Sequence, residues 1–328
     1  MITLVTGGNG FVGRYIVEML LARGDRVRVV GRGSYPELDA LGAQCVQVDL
    51  SSPESAVGLG KAMAGVEVVF HVAAKAGIWG DFEDFYRNNV TATQRVLRAA
   101  VRAGVPKFVY TSSPSVAIGE DDLEGVDEST PYPEHFMAPY PQTKALAERF
   151  VLARQDIATT AIRPHLIWGP RDPHIFPRLI ARARKGRLMR IGDGTNRVDV
   201  TYVENVAEAH IQAAGALGER SPVRGRAYFI GQEQPVHLWD FIDRVAAGAG
   251  CPPIRRQISA RAAMRLAGLM ELAYGRLGLR QEPPLTRLMV HQLTRSHWFD
   301  HSAAQRDFGY GPRISTDEGL RRTLGDRR

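Results

Sequence analysis

The first thirty residues constrain the fold more than any other stretch of this 328-residue chain. Ile2-Thr3-Leu4-Val5 is apolar and β-rich, which predicts a buried strand. Thr6-Gly7-Gly8-Asn9-Gly10-Phe11-Val12-Gly13 then turns into a helical stretch, Arg14 to Arg23, and Arg26 to Val30 reads as a second strand. A strand, a glycine-rich turn, a helix and a strand at this spacing make a βαβ unit that binds dinucleotides. The glycines let the backbone approach a pyrophosphate, and the helix start offers free amides at the positive end of its dipole. Gly7, Gly10, Phe11, Val12 and Gly13 are therefore the expected cradle.

The end of the second strand indicates which dinucleotide. An acidic side chain there accepts from ribose hydroxyls, but this chain has Gly31-Arg32-Gly33-Ser34. Arginine suits a phosphate and glycine leaves room for one, so Arg32 predicts NADP(H).

Strands and helices keep alternating. Strands are expected at Gln44 to Val48, Val66 to Val72, Lys107 to Thr111 and Thr160 to Arg163, with helices over Pro53 to Ala64, Phe82 to Ala103 and from Tyr140. This is the pattern of an α/β fold, a doubly wound parallel sheet covered on both faces. Ligands in such sheets lie beyond the carboxyl ends of the strands, which singles out Asp49, the loop from His71 to Gly80, and Ser112 to Ser115. Asp49 reads equally well as an acceptor for an adenine amine and as a helix-capping carboxylate. Beyond Pro164 the alternation loosens. A division follows: residues 1–167 bind the dinucleotide, with the sheet completed by segments near 198–230, and residues 168–328 mainly bind substrate.

Ala138-Pro139-Tyr140-Pro141-Gln142-Thr143-Lys144 opens a helix, because proline is tolerated in a first turn. Tyr140 and Lys144, four apart, share a face. A phenol with a pKa near 10 is protonated at neutral pH and ready to donate, and an ammonium beside it favours the phenolate left behind. A serine such as Ser113 would be a second donor to the same oxygen, with Ser112 the alternative.

These features together resemble the extended short-chain dehydrogenase/reductases, from Met1 to about Leu320. Thr6, Gly7, Gly10 and Gly13 match the family's glycine turn. Asp49-Leu50, His71-Val72-Ala73-Ala74, Asn89-Val90 with Thr93, and Tyr110-Thr111-Ser112-Ser113 fall at its adenine, cofactor-loop and catalytic segments. Tyr110-Thr111-Ser112-Ser113, Ala138-Pro139-Tyr140-Pro141, Pro283-Pro284 and the tail Ala304 to Tyr310 look like its 3β-hydroxysteroid dehydrogenase branch. The resemblance implies cofactor contacts at Asp49, Leu50, Ala73, Ala74, Tyr140, Lys144, Pro164 and Leu166, and a catalytic set of Ser113, Tyr140, Lys144 and Asn89, with Asn89 in a proton relay beyond Lys144.

Within that branch, Ala73 to Gly80, Arg163 to Pro170, Glu282 to Arg287 and His297-Trp298 are similar to the bacterial 2-alkyl-3-oxoalkanoate reductases of long-chain olefin biosynthesis. This implies reduction of a long-chain β-keto acid in lipid metabolism, a homo-oligomer, and contacts with other enzymes of the olefin pathway. The rivals are a 3β-hydroxysteroid or sterol dehydrogenase using NAD(P), and a nonenzymatic dinucleotide sensor. A keto acid needs a cation near the reacting carbon. Lys75 is the first candidate, with Arg197 and Arg171 weaker and His165 standing where some relatives would carry arginine. Its alkyl chains need apolar surface, which Trp79, Trp168 and the amphipathic stretch Ala260 to Leu279 would supply. That stretch reads equally as a closing helix or one resting on a membrane surface.

Charge adds little. Of forty-two basic residues only five are lysine, and the net charge of +7 is scattered rather than patched, so no nucleic acid is expected. Cys45 and Cys251 make no disulfide framework, and no histidine pair has metal-ligand facing, so no metal is expected. Met1 runs straight into a strand without a leader, and no apolar run spans a bilayer, which points to the cytoplasm.

Overall fold

A computed structural model describes residues 1–279 and 281–325. The last three residues of the expected substrate unit lie outside them.

The strands form where β-branched and aromatic residues cluster: β1 (Ile2–Thr6), β2 (Arg26–Gly31), β3 (Gln44–Gln47), β4 (Val68–His71), β5 (Lys107–Thr111), β6 (Leu123–Val126) and β7 (Ala158–Pro164). All but β6 join the strand Arg226–Ile230 in one parallel seven-stranded sheet. Its order is Arg226–Ile230, β7, β5, β4, β1, β2, β3, with β1 between β4 and β2. The order reverses at β1, so the crevice beyond its carboxyl end is the switch point where ligands bind. One core lies on each face. Ile16, Leu20 and Val206 belong to one, and Val96, Leu97 and Val151 to the other.

The expected helix over Phe82 to Ala103 is interrupted. Phe82–Phe85 is α-helical, Tyr86–Thr91 forms a π turn, and Ala92–Arg102 resumes the α-helix. Apolar spacing shows nothing of this, because a π turn adds one residue without ending the helix. The turn carries Asn89 inward, where it is buried.

The later part of the chain builds a third core around Trp168, Tyr202, Trp239 and Phe241. A four-stranded sheet there joins β6 in parallel to His297–Phe299. Trp298-Phe299 reads as a strand from sequence, but β6 was not legible alone, because it is four residues long and its partner lies over 170 positions away. The helix expected from Ala260 to Leu279 runs Ala260–Arg276, with Ser259 accepting from the Ala262 amide as its cap.

Candidate active site

The glycine turn closes tightly on itself. Gly7 has φ 69°, and a Cβ there would lie 2.9 Å from the Ala73 backbone. A Cβ on Gly13 would lie 2.2 Å from the Gly7 carbonyl oxygen. The helix Phe11–Ala22 begins at Gly10 with no side-chain cap and no acidic residue in its first turn. The first-turn amides of Phe11 and Val12 have no intrahelical acceptor, and no acidic side chain stands in that turn. This cradle fits a pyrophosphate.

At the end of β2, Arg32 is exposed, and its charge helps hold the Asp49 carboxyl low, after the larger effect of Ser51. The room left by Gly31 is occupied by a side chain of the chain itself: the Tyr35 hydroxyl sits where a Cβ would be, 2.3 Å from that position, and accepts from the Gly33 amide at 3.1 Å. Asp49 Oδ1 accepts from the Ser51 amide at 2.9 Å and its hydroxyl at 2.7 Å, a capping arrangement. Leu50 is buried, Ala73 is half-buried and Ala74 is exposed.

Four strand ends meet at the switch point. Ser113 follows β5, and its Oγ accepts from the Ser115 amide at 3.2 Å and the Ser115 hydroxyl at 2.9 Å. Tyr140 opens the helix Pro139–Leu152 and is partly exposed. Burial raises the pKa of its phenol, and the Ser113 hydroxyl pulls the other way. The phenol therefore holds its proton across the neutral range. Lys144 is 2% exposed, donates to the Thr111 carbonyl at 2.6 Å, and lies 4.1 Å from the centre of the Tyr110 ring. Burial lowers its pKa from 10.5 to about 7, with Glu148 partly opposing.

Asn89 ties three elements together. Its Oδ1 accepts from the Lys75 amide at 2.7 Å, while Nδ2 donates to the Lys75 carbonyl at 3.1 Å and the Thr143 hydroxyl at 3.0 Å. Thr143 precedes Lys144, so the π turn, the loop after β4 and the tyrosine helix are held in register.

Around Lys144 the buried polar groups are partnered in a way that sequence did not reveal. Thr93 donates to the Asn89 carbonyl at 2.5 Å, so it accepts from His71 Nε2 at 2.9 Å. His71 Nδ1 is then left to accept from Thr6 at 2.7 Å. His210 donates through Nδ1 to the Val206 carbonyl at 2.8 Å, and its Nε2 accepts from Thr111 at 2.8 Å. Burial and the Lys144 charge lower the pKa of His71 to about 3; burial lowers that of His210 to about 4, and both rings are neutral. Glu148 accepts from Arg163 at 2.6 and 3.0 Å and from Tyr132 at 2.6 Å. Burial opposes its charge, but Arg163, helped by the Tyr132 hydroxyl, outweighs it and holds the carboxyl below its usual range. The one available signal was Glu148 standing four residues after Lys144 on the same helix.

The residues expected to grip substrate fare differently. Lys75 is ion-paired to Asp84, and its Nζ lies 4.7 Å from the centre of the Phe85 ring. Trp79 donates from its indole to the Leu279 carbonyl at 3.3 Å, joining the loop after β4 to the end of the Ala260–Arg276 helix. Arg197 stacks on Trp298, 5.2 Å from its ring centre, and Arg171 pairs with Glu18 at 2.7 Å. Trp168 offers no surface to an alkyl chain. It is 1% exposed and packs on Phe176, Tyr202 and Phe241, so it is a core residue. Its bulk and apolarity suit either place, and sequence cannot separate them.

Pro164 ends β7 at the cleft. His165 after it is buried and donates from Nε2 to His297 Nδ1 at 2.6 Å, because His297 Nε2 is committed to the Gln292 carbonyl at 3.0 Å. Leu166 holds φ 37°, a strained value for a residue with a side chain, where the chain leaves the sheet.

The profile of the 3-beta hydroxysteroid dehydrogenase/isomerase family matches residues 4–258. The chain belongs to this family. It is an extended short-chain dehydrogenase/reductase and an NAD(P)-dependent oxidoreductase acting on alcohol and carbonyl groups. It is 43% identical over 323 residues to a 2-alkyl-3-oxoalkanoate reductase of Stenotrophomonas maltophilia, with 97% of each chain covered. A 2-alkyl-3-oxoalkanoate reductase of Shewanella oneidensis is 41% identical, covering 97% of this chain and 84% of the relative. Among solved structures, MoeE5 in complex with UDP-glucose and NAD superposes with a TM-score of 0.74 at 29% identity, covering 99% of this chain and 97% of that one. These relatives support a reductase role and a nicotinamide dinucleotide as cofactor.

Proposed function

We propose that this protein reduces 2-alkyl-3-oxoalkanoic acids to 2-alkyl-3-hydroxyalkanoic acids with NADPH. The end-to-end likeness to two reductases named for that substrate, at 41% and 43% identity, carries the reading. The reaction is placed in long-chain olefin biosynthesis, as the sequence resemblance implies.

Gly7, Gly10, Phe11, Val12 and Gly13 hold the pyrophosphate. Arg32 meets the 2′-phosphate, Asp49 and Leu50 flank the adenine, and Ala73, Ala74, Pro164 and Leu166 border the nicotinamide. The cofactor, when bound, supplies a hydride for the carbonyl carbon. The protein supplies the proton for the oxygen. Ser113 donates to the carbonyl oxygen and fixes its position. Tyr140 gives its phenolic proton to that oxygen as negative charge develops there. Lys144 stabilises the phenolate that remains, and Asn89 keeps the lysine's helix aligned through Thr143 and relays the replacement proton.

Lys75 receives the substrate carboxylate by exchanging Asp84 for it. Both partners are about one-third exposed, at 33% and 36%, so the exchange costs little.

The reading is tested by incubating the protein with NADPH and a racemic 2-alkyl-3-oxo acid and analysing the product by mass spectrometry. The hydroxy acid is expected, with NADPH preferred to NADH and the preference lost in Arg32→Glu. A chain that leaves the keto acid untouched but oxidises a steroid alcohol with NAD belongs to the dehydrogenase reading instead.

A further inference from the structure

We propose that Tyr35 selects the cofactor together with Arg32, its phenolic O–H donating to the 2′-phosphate of NADPH. This rests on NADPH being the cofactor and names a second group that holds its phosphate.

Gly31 is the last residue of β2, the place from which an acidic side chain accepts from ribose hydroxyls in a dinucleotide fold that takes NAD. Here the space in front of it holds the Tyr35 ring. A Cβ on Gly31 would lie 2.3 Å from the Tyr35 hydroxyl oxygen and 3.0 Å from Cε2, and a Cβ on Gly33 would lie 3.1 Å from Cε1. Neither glycine holds a positive φ, so what the two supply is room for this ring rather than an unusual backbone. The hydroxyl therefore stands where the acidic side chain would begin.

Its hydrogen bonding decides what it can receive there. The oxygen accepts from the Gly33 amide at 3.1 Å, and among the described residues the O–H meets no acceptor. A donor at this point favours an acceptor on the ribose, and a phosphate at the 2′ position is a stronger one than the hydroxyl it replaces.

The ring is fixed from behind. Pro36 opens the short helix Pro36–Ala40, whose Leu38 and Asp39 amides donate to the Tyr35 carbonyl at 2.9 and 3.1 Å. Leu38 is fully buried, and the Asp39 carboxylate accepts from the Cys45 amide of β3 at 3.2 Å. Charge on this turn is also apportioned. Arg14, which reaches the same helix, is spent on Glu18 at 3.0 Å and Glu37 at 2.5 Å. Arg32 has no ion pair among the described residues, and the Gln47 side chain holds its carbonyl at 2.8 Å. One unpaired guanidinium and one unspent O–H thus stand on residues 32 and 35 of a single turn.

Dissociation constants measured by calorimetry, without substrate, test this for NADPH, NADH, adenosine 2′-monophosphate and adenosine 5′-monophosphate. Tyr35→Phe keeps the ring and should weaken NADPH by about tenfold while leaving NADH within about twofold. Adenosine 2′-monophosphate should weaken in parallel and the 5′-monophosphate should not. Thermal unfolding of the variant is followed to show that it remains folded. Equal weakening of both dinucleotides overturns the proposal, because Tyr35 would then only shape the turn. Unchanged NADPH affinity in Tyr35→Phe, with the parent preferring NADPH, overturns it while leaving the NADPH reading intact. Tighter NADPH binding by Tyr35→Ala also overturns it, since the ring would then be an obstacle to the phosphate. A parent that binds NADH more tightly than NADPH removes the NADPH reading and this proposal with it.

Discussion

Two regions of the molecule invert the usual rule that apolar groups lie inside and polar groups outside, and they do so in opposite directions. Behind Tyr140, ionisable and hydroxyl groups are buried: Lys144, Glu148, Arg163, His71 and His210 are all at most 4% exposed. On the Ala260–Arg276 helix, leucines stand in solvent. In the first region most polar groups have a partner among the described residues, the exceptions including the Tyr110 and Ser112 hydroxyls and the Arg163 Nη1. In the second, the apolar groups have no such cover. A buried, partnered charge is a device for internal chemistry, whereas an exposed apolar face points to something outside. The loop from Lys75 to Trp79 joins the two, held by Asn89 at one end and by Leu279 at the other.

The comparison is broken most forcefully at its chemical end. Tyr140→Phe keeps the ring and removes the proton donor, and kcat should fall by about 10²- to 10⁴-fold while NADPH binding, followed by fluorescence, is retained. Full turnover in that variant would deny the buried region its purpose. Glu148→Gln leaves Arg163 charged and buried, and chemical denaturation should show a loss of about 3–5 kcal/mol. Replacing both Glu148 and Arg163 by methionine should recover most of that loss, because no uncompensated charge remains. On the joining loop, Lys75→Ala should raise KM for a β-keto acid by about tenfold, near 1.4 kcal/mol, and leave a neutral ketone unaffected. Equal losses on both would remove Lys75 as the carboxylate's partner. The smallest effect belongs to the outer face: Leu269→Ser should change folding stability by no more than about 0.5 kcal/mol, since its side chain is already in water.

The two regions were also unequally legible. The glycine turn, β1, β2 and the Tyr140 helix announce themselves, because a turn that demands glycine and a period of two or 3.6 residues are local properties. The environment of Lys144 is not local. His210 reaches Thr111 across 99 positions, and Glu148 meets an arginine on the next strand, so composition at either end reveals neither contact. The π turn hides for a different reason, since it preserves the apolar stripe while rotating Asn89 inward. Trp168 was misread because a large apolar ring reads alike in a core and in a binding surface. The leucines of residues 266–279 were visible as an amphipathic stretch, but which side faced the core required the structure.

The pH dependence of kcat/KM for keto acid reduction, from about pH 5 to about pH 9 at saturating NADPH, tests the central claim most directly. Burial lowers the Lys144 pKa from 10.5 to about 7, so its ammonium is present below that value and lost as pH rises through it. Support for the Tyr140 phenolate is lost with it. A profile that is high on the acid side and falls about tenfold per unit above an apparent pKa near 7 is predicted, with the alkaline limb absent in Lys144→Arg. A profile that stays flat to about pH 9 would contradict the account, because proton donation would then proceed without the charge that the buried site is built to hold.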